Sequence, residues 1–319
     1  MLGHHGANEG LMSLAFAKDP SGAPLALPGE SPFPAHLLVD WVGVPMDLHC
    51  GDQRLVKGEI PGQRYLNGAA EGWRDHPEWM DFLDPDSPIY GLKRLEADLT
   101  LHHWRPWLGG RRVLDLGCGI GRFLVRFLDR GAHVFGVDGD LLSLQQCAWH
   151  AAGRRGCLDL FWSSAQRLPD VGLVDLVIAS EVLCYLPDWQ EVLTDLTKRL
   201  KPGGHLLVSM EARWGWAASE DAPEGSIEEA LMGTGIVDVP GDRWVRTVEK
   251  DEFTSTLEHA GLEVLLMEPT HYLSDGPLER VMPQNASLSQ VLDWEERCRE
   301  HPVWCHLNRL WTGVARKNP

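Results

Sequence analysis

Positive charge is scarce in this chain. Lys and Arg number 29 against 46 Asp and Glu, a formal net charge of −17. No basic stripe is present, so a nucleic-acid partner is not expected. Long apolar runs are missing too: no stretch reaches the roughly 18 residues that a membrane-spanning helix requires. The opening "MLGHHGANEG" lacks the basic and apolar segments of a secretory signal. The seven cysteines are scattered, odd in number and without any C-x-x-C pair, which excludes a disulfide framework and the common zinc arrangements. A reducing cytoplasm is the expected home. No Gly-Lys-Ser or Gly-Lys-Thr occurs, so there is no P-loop, and no repeat at a solenoid period is found.

What is present is an ordinary globular composition, 44% apolar and 24% charged over 319 residues. Three zones follow one another. Residues 1–61 are rich in Gly and Pro and read as an irregular arm with one or two strands. Residues 62–110 read as a helical lid. From Arg111 onward short apolar runs alternate with helical segments. "RVLDLG" and "HVFGVD" read as strands, and "GRFLVRFLDRG" between them as a helix closed by Gly131. A helix from Leu141 follows. "LDLFWSS", "VDLVIAS" and "GHLLVSM" are further strands, the last two separated by a helix from about Trp189 to Leu200. "KDEFTSTLEHAG" is a helix with a glycine stop, and "LEVLLME" and "LNRLWTGVARK" are strands. Alternating strands and helices give an α/β class with a doubly wound, largely parallel sheet.

The stretch "RRVLDLGCGIGRF" carries the chemistry. A glycine-rich turn between a strand and a helix lets a cofactor approach the backbone N–H groups closely. The spacing is G-x-G-x-G from Gly117, and Arg122 stands where a dinucleotide fingerprint needs its third glycine, which argues against a nicotinamide oxidoreductase. The second strand ends in Asp138, 21 residues after Gly117. A carboxylate there can accept both hydroxyls of an adenosine ribose. The competing reading is that Asp138 or Asp140 caps the next helix.

In order and spacing, "VLDLGCGIG", "VFGVD", "FWSSAQRLPD", "VDLVIASEVLCYLPD" and "LKPGGHLLVSM" together resemble the class I S-adenosylmethionine-dependent methyltransferases over about residues 105–316. The resemblance implies a Rossmann-like seven-stranded sheet whose last strand, near Trp311 to Arg316, inserts antiparallel. It implies S-adenosylmethionine as cofactor. Asp115, Gly117, Cys118, Gly119 and Gly121 would form the pocket for its methionine moiety. Asp138 and Gly139 would hold the ribose, and Leu141 or Leu142, Ser164 and Ala165 would approach the adenine. Ser180 would face the cofactor through its backbone. The family often has Asp where this chain has Ser164, and His where it has Tyr185.

Methyl transfer needs positioning, desolvation and, for some nucleophiles, proton removal. Candidate catalytic groups beyond the strand ends are Glu181, Tyr185, Glu211 and His271. Each has a structural alternative: a helix N-terminal charge for Glu181, a packing aromatic for Tyr185, a surface histidine for His271. Residues 111–319 are taken as the cofactor-binding domain, with inserts at about 211–248 and 269–305. Ten of the fourteen tryptophans lie in the arm and inserts. They read either as lids over an apolar, planar or cationic small molecule or as the lids' own core, the first reading being strongest at Trp214 and Trp216. Two crowded groups, Cys298/His301/Cys305/His306 and Asp81/Asp84/Asp86, are read as incidental, and no metal is expected. The expected activity is O- or N-methylation of a small molecule, with no membrane partner. The alternatives are C-methylation of a specialised metabolite and non-catalytic binding of the cofactor or its product. The sequence leaves acceptor and oligomeric state open.

Overall fold

The computed structural model describes residues 47–50, 53–57, 82–87, 89–219, 222, 224–237, 245–274, 276–283 and 286–318. Their regular elements, in chain order, are β1 (Asp47–Cys50), β2 (Gln53–Lys57), α1 (Tyr90–Trp104), β3 (Arg112–Leu116), α2 (Leu124–Leu128), β4 (His133–Asp138), α3 (Leu141–Ala151), β5 (Cys157–Trp162), β6 (Val174–Ser180), α4 (Trp189–Arg199), β7 (Leu200–Ala212), α5 (Arg213–Ala217), α6 (Ser226–Met232), β8 (Ile236–Val237), β9 (Val245–Val248), α7 (Lys250–His259), β10 (Leu262–Thr270), α8 (Leu288–Glu300) and β11 (Leu310–Lys317). They fall into two compact units. One takes the described residues up to Lys57 together with 111–170, and the other takes those in 82–110 together with 171–318.

In the first unit β3, β4 and β5 are parallel neighbours in that order, β2 adds to β5 in parallel, and β1 forms an antiparallel hairpin with β2. Val113, Leu114, Leu116, Val134, Phe135, Val137, Leu158 and Leu160 are all buried. These continuous apolar runs are what a parallel strand covered on both faces requires. The helix read over 121–131 is shorter than its apolar pattern, occupying Leu124–Leu128. Gly121, at φ 96°, keeps the chain out of helical geometry before it, and Gly131, at φ 77°, ends the turns after it.

In the second unit β6 and β7 are parallel, β11 pairs antiparallel with both β7 and β10, and a short β8–β9 pair attaches to the end of β7. β11 therefore inserts as the antiparallel last strand. Helix α4 buries Trp189, Val192, Leu193 and Leu196, one stripe at helical spacing. Its Glu191 lies in the first turn and Lys198 and Arg199 in the last, charges that suit the helix dipole. Helix α7 ends before Gly261, which sits at φ 84°. Helix α8 begins with a reciprocal cap between Ser287 and Gln290. Counting β3, β4 and β5 with β6, β7, β10 and β11 gives seven strands of an α/β, Rossmann-like class, mostly parallel with antiparallel C-terminal strands. Of the regions read from sequence, residues 1–46 of the arm and 62–81 of the lid lie outside the described residues.

Candidate functional site

The glycine turn is built in the first unit. The N–H groups of Gly117 and Cys118 both donate to Val137 O, at 2.8 and 3.1 Å, tying the turn to the end of β4. Gly117, Gly119 and Gly121 have φ of 65°, 50° and 96°, a region that side chains other than glycine rarely enter. A Cβ on Gly121 would also meet Cys147 Sγ at 3.0 Å, whereas one on Gly119 would meet nothing within 4 Å. The turn is thus fastened on one side and has open space on the other. Cys118 is buried within it.

Asp138 closes the turn. Its Oδ2 accepts the Gly119 N–H at 2.7 Å and its Oδ1 accepts the Asp140 N–H at 2.8 Å. Burial pushes its carboxyl up to about 6, while the N–H groups of Asp140, Gly119 and Gly139 pull the other way. The helix-capping role falls to Asp140 instead, whose Oδ2 accepts from both the N–H and the hydroxyl of Ser143. Gly139 O accepts the Trp162 indole N–H at 3.0 Å, and Ser163 N–H donates to Asp138 O at 3.0 Å, so β5 fixes the same corner. Asp115, the fourth residue of β3, is 3% exposed. Burial, and then the Asp138 charge, push its carboxyl up to about 8, with Arg122 offsetting part of the shift. Its Oδ2 and the Ser164 hydroxyl are buried without a hydrogen-bond partner among the described residues. Ala165 is half-buried beside Ser164, and the Leu141 and Leu142 side chains lie outside the described residues. A buried acceptor able to carry charge, an unsatisfied hydroxyl and open space beside a glycine fit a ligand that brings a cation and polar groups of its own. S-Adenosylmethionine brings an ammonium, a sulfonium and an adenosine.

The second unit places a different group at the carboxyl ends of β6 and β7. Glu181 follows β6 at φ 53°, in the left-handed region although it is not glycine. Such a conformation costs on the order of 1–3 kcal/mol and persists where the surroundings over-determine it. Here Ser209 Oγ accepts the Glu181 N–H at 3.0 Å and lies 3.0 Å from Ser180 Oγ, across the Ser180–Ser209 register pair. Glu211, near the end of β7, is 1% exposed, and its Oε1 accepts from Arg309 Nη2 at 2.8 Å. Arg309 Nη1 also lies 3.8 Å from Glu181 Oε2, and its guanidinium is 5.5 Å from the Trp216 ring centroid. Two carboxylates therefore share one buried cation. Burial pushes the nearby Cys184 thiol up, and the charges of Glu211 and Glu181 push it further.

The other sequence candidates are placed apart from this cluster or at its edge. Tyr185 ends the short 3₁₀ turn Leu183–Tyr185 and is half-buried. His271 is 2% exposed rather than at the surface. It sits at φ 62°, its Nδ1 2.9 Å from Thr270 Oγ1 and its Nε2 3.4 Å from Thr100 Oγ1. Both ring nitrogens are thus engaged in a buried polar chain that continues through Thr270 to Thr312. Trp216 is buried and Trp214 half-buried. Trp294 packs with Tyr272, Leu273 and Cys298. His301 Nδ1 accepts the N–H groups of Val303 and Trp304, and no cluster of three His, Cys, Asp or Glu side chains suited to a metal occurs among the described residues. Asp81, Trp41, Trp73, Trp79 and Trp244 lie outside them. The sequence reading missed Arg309 and Ser209. Both lie in stretches read only as strands, and their partners are 98 and 28 residues away.

A strand-turn-helix unit with this glycine spacing, an acid ending the next strand and an antiparallel last strand define an adenosyl-cofactor-binding α/β protein. The family model described as Methyltransferase domain matches residues 91–266. The chain belongs to that family, the S-adenosylmethionine-dependent methyltransferases of class I fold, whose cofactor is S-adenosylmethionine. The ubiquinone biosynthesis O-methyltransferase of Marinobacter nauticus is 29% identical over 194 residues, covering 58% of this chain and 77% of the relative. That of Pectobacterium atrosepticum is 36% identical over 133 residues, covering 41% of this chain and 55% of the relative. The chain thus spans just over half the length of the second of these relatives. A solved Listeria monocytogenes structure assigned to the S-adenosylmethionine dependent methyltransferases aligns with TM-score 0.50 at 16% identity, covering 70% of this chain and 99% of that one. It shows the fold alone.

Proposed function

We propose that this enzyme transfers a methyl group from S-adenosylmethionine to an oxygen or nitrogen of a small-molecule acceptor. The observation that carries the reading is the glycine turn of the first unit, fastened to β4 by Val137 and closed by Asp138. The names of the two relatives support oxygen as the accepting atom. When bound, the cofactor supplies an activated methyl group on a sulfonium. The chain's own residues bind and orient it. Asp115 meets its ammonium, the Gly117–Gly121 turn admits its methionine moiety, Asp138 and Gly139 take the ribose hydroxyls, and Ser164, Ala165 and Leu142 line the adenine. Asp138 retains lone pairs beyond the two used by backbone N–H groups, as a carboxylate offers about four acceptor sites. Glu181 and Glu211 are the acid groups of the second unit suited to an acceptor, with Trp214 and Trp216 as its aromatic wall. His271 serves better as a buried corner than as a base, because both ring nitrogens already have partners.

The test is calorimetric titration with S-adenosylhomocysteine, with NAD in parallel and Asp138→Ala as a control. Saturable binding of the homocysteine compound, absent with NAD and weakened in the variant, supports the assignment, and an acceptor screen with labelled methyl donor follows. No binding by a folded sample overturns it. Binding without transfer to any hydroxyl or amine in the screen would instead favour C-methylation or a binding-only role.

A further inference from the structure

Helix α5 follows β7 directly and is pinned from behind. The Ala212 N–H, just before it, donates to Arg309 O at 2.7 Å. A Cβ on Gly215 would lie 1.9 Å from Asn308 O, so only glycine lets the helix sit this close. Arg213, Trp216 and Ser219, three residues apart, run along one ridge of α5 and of the turn that continues it, where the Ser219 N–H donates to Trp216 O at 3.0 Å. Each holds a buried polar atom without a hydrogen-bond partner among the described residues: Arg213 Nε, Trp216 Nε1 and Ser219 Oγ. Guanidinium and indole N–H groups can only donate. Buried donors left unmet cost stability and call for a partner.

We propose that this ridge is a binding site for a carboxylate-bearing small molecule. A carboxylate only accepts hydrogen bonds, offers about four lone-pair sites and carries the charge that a guanidinium pairs with best. Its two oxygens take the Arg213 guanidinium N–H, the Trp216 indole N–H and the Ser219 hydroxyl together. The ion pair that Arg213 makes with Glu252 Oε2 leaves it able to do so, being 3.4 Å long with the Glu252 side chain 40% exposed and screened by solvent. Gly235 makes room for the guanidinium, since a Cβ there would lie 3.2 Å from Arg213 Nη2. The ridge is closed at Trp216 and opens at its ends, where Arg213 and Ser219 are half-buried. Naming the molecule as the methyl acceptor rests on the methyltransferase reading; the site itself lies wholly in the second unit and does not.

The test uses the whole protein, labelled with ¹⁵N at its tryptophan indole nitrogens. Trp216→Phe assigns the signal. Benzoate is the probe, benzamide its neutral counterpart and inorganic phosphate a second anion. Benzoate is expected to move the Trp216 indole N–H signal saturably, and benzamide to bind about tenfold more weakly, because hydrogen bonds to a charged group are the stronger ones. Arg213→Met is expected to weaken benzoate binding about tenfold. Arg213→Lys returns part of that loss, since an ammonium keeps the charge without the planar fork. Ser219→Ala weakens binding about threefold. A Trp216 signal unmoved by benzoate, a response to benzamide or phosphate equal to that for benzoate, or unaltered benzoate binding in Arg213→Met overturns the proposal. Thermal melts of each variant show that it is folded. Calorimetric binding of S-adenosylhomocysteine is read separately: its absence while benzoate still moves Trp216 overturns the cofactor assignment and leaves the ridge standing.

Discussion

Asp115, buried, and Asp138, half-buried, sit in the first unit without a close cation, whereas Glu211 and Glu181 in the second share the guanidinium of Arg309. Burial raises both Asp residues, to about 8 and about 6, with only partial relief from Arg122 and from backbone N–H groups. In the second unit Glu211 and Arg309 form a 2.8 Å ion pair with both side chains at least nine-tenths buried. The difference teaches what each region lacks. A buried acid without a full counter-charge is completed by a cationic ligand. One that holds an arginine at 2.8 Å already has a counter-charge within the protein.

Four substitutions break or sharpen this contrast. The largest effect is expected at Glu211. Glu211→Ala leaves Arg309 a buried charge without its near partner, and such losses cost roughly 3–5 kcal/mol. Chemical denaturation should show it as a lowered midpoint, and a change under 1 kcal/mol would mean that the pair is not the anchor described here. Asp138→Ala is expected to weaken S-adenosylhomocysteine binding by about 100-fold in the calorimeter, since hydrogen bonds to a charged group contribute about 1.5–3 kcal/mol. It should leave the second unit's cluster intact.

Gly215→Ala comes next. Its Cβ would collide with Asn308 backbone atoms, and overpacking of this kind costs about 1–3 kcal/mol. Chemical denaturation should show the collision as a lowered midpoint, and an unchanged midpoint would mean that the Asn308 backbone moves aside at no cost.

The smallest signal belongs to Asp115. Its carboxyl rises from 3.8 to about 8 on folding, so the folded chain keeps a proton that the unfolded chain releases. The stability it lends is fully present below about pH 4 and is lost as pH rises through about 8. Asp115→Asn should flatten that slope in thermal melts. Pairing with the cofactor's ammonium favours the carboxylate, so binding at pH 7 should release up to about one proton. Calorimetry in two buffers of different ionisation enthalpy reads this directly, and an equal release from Asp115→Asn would assign the proton elsewhere.

Much of the first unit was legible in the sequence because its determinants are local. Gly117, Gly119 and Gly121 are adjacent, their backbone requirement is intrinsic to glycine, and Asp138 follows at a fixed strand-helix interval. The strands announced themselves as apolar runs and α4 and α7 by helical spacing. Fainter signals misled where conformation depended on neighbours. The helix after the turn is cut to Leu124–Leu128, and His271, whose loop setting suggested the surface, is buried by Thr100 and Thr270.

By itself, the sequence determined the α/β class, the glycine turn, the acid at the end of β4 and the family. These follow from spacing, periodicity and the left-handed freedom of glycine, none of which needs a distant partner. The tertiary structure alone decided that Asp140 rather than Asp138 caps α3, that Asp115 is buried without a full counter-charge, and that Arg309 stands between Glu181 and Glu211. Those outcomes depend on strand register and on how completely water is excluded, and a carboxylate's behaviour is set by both.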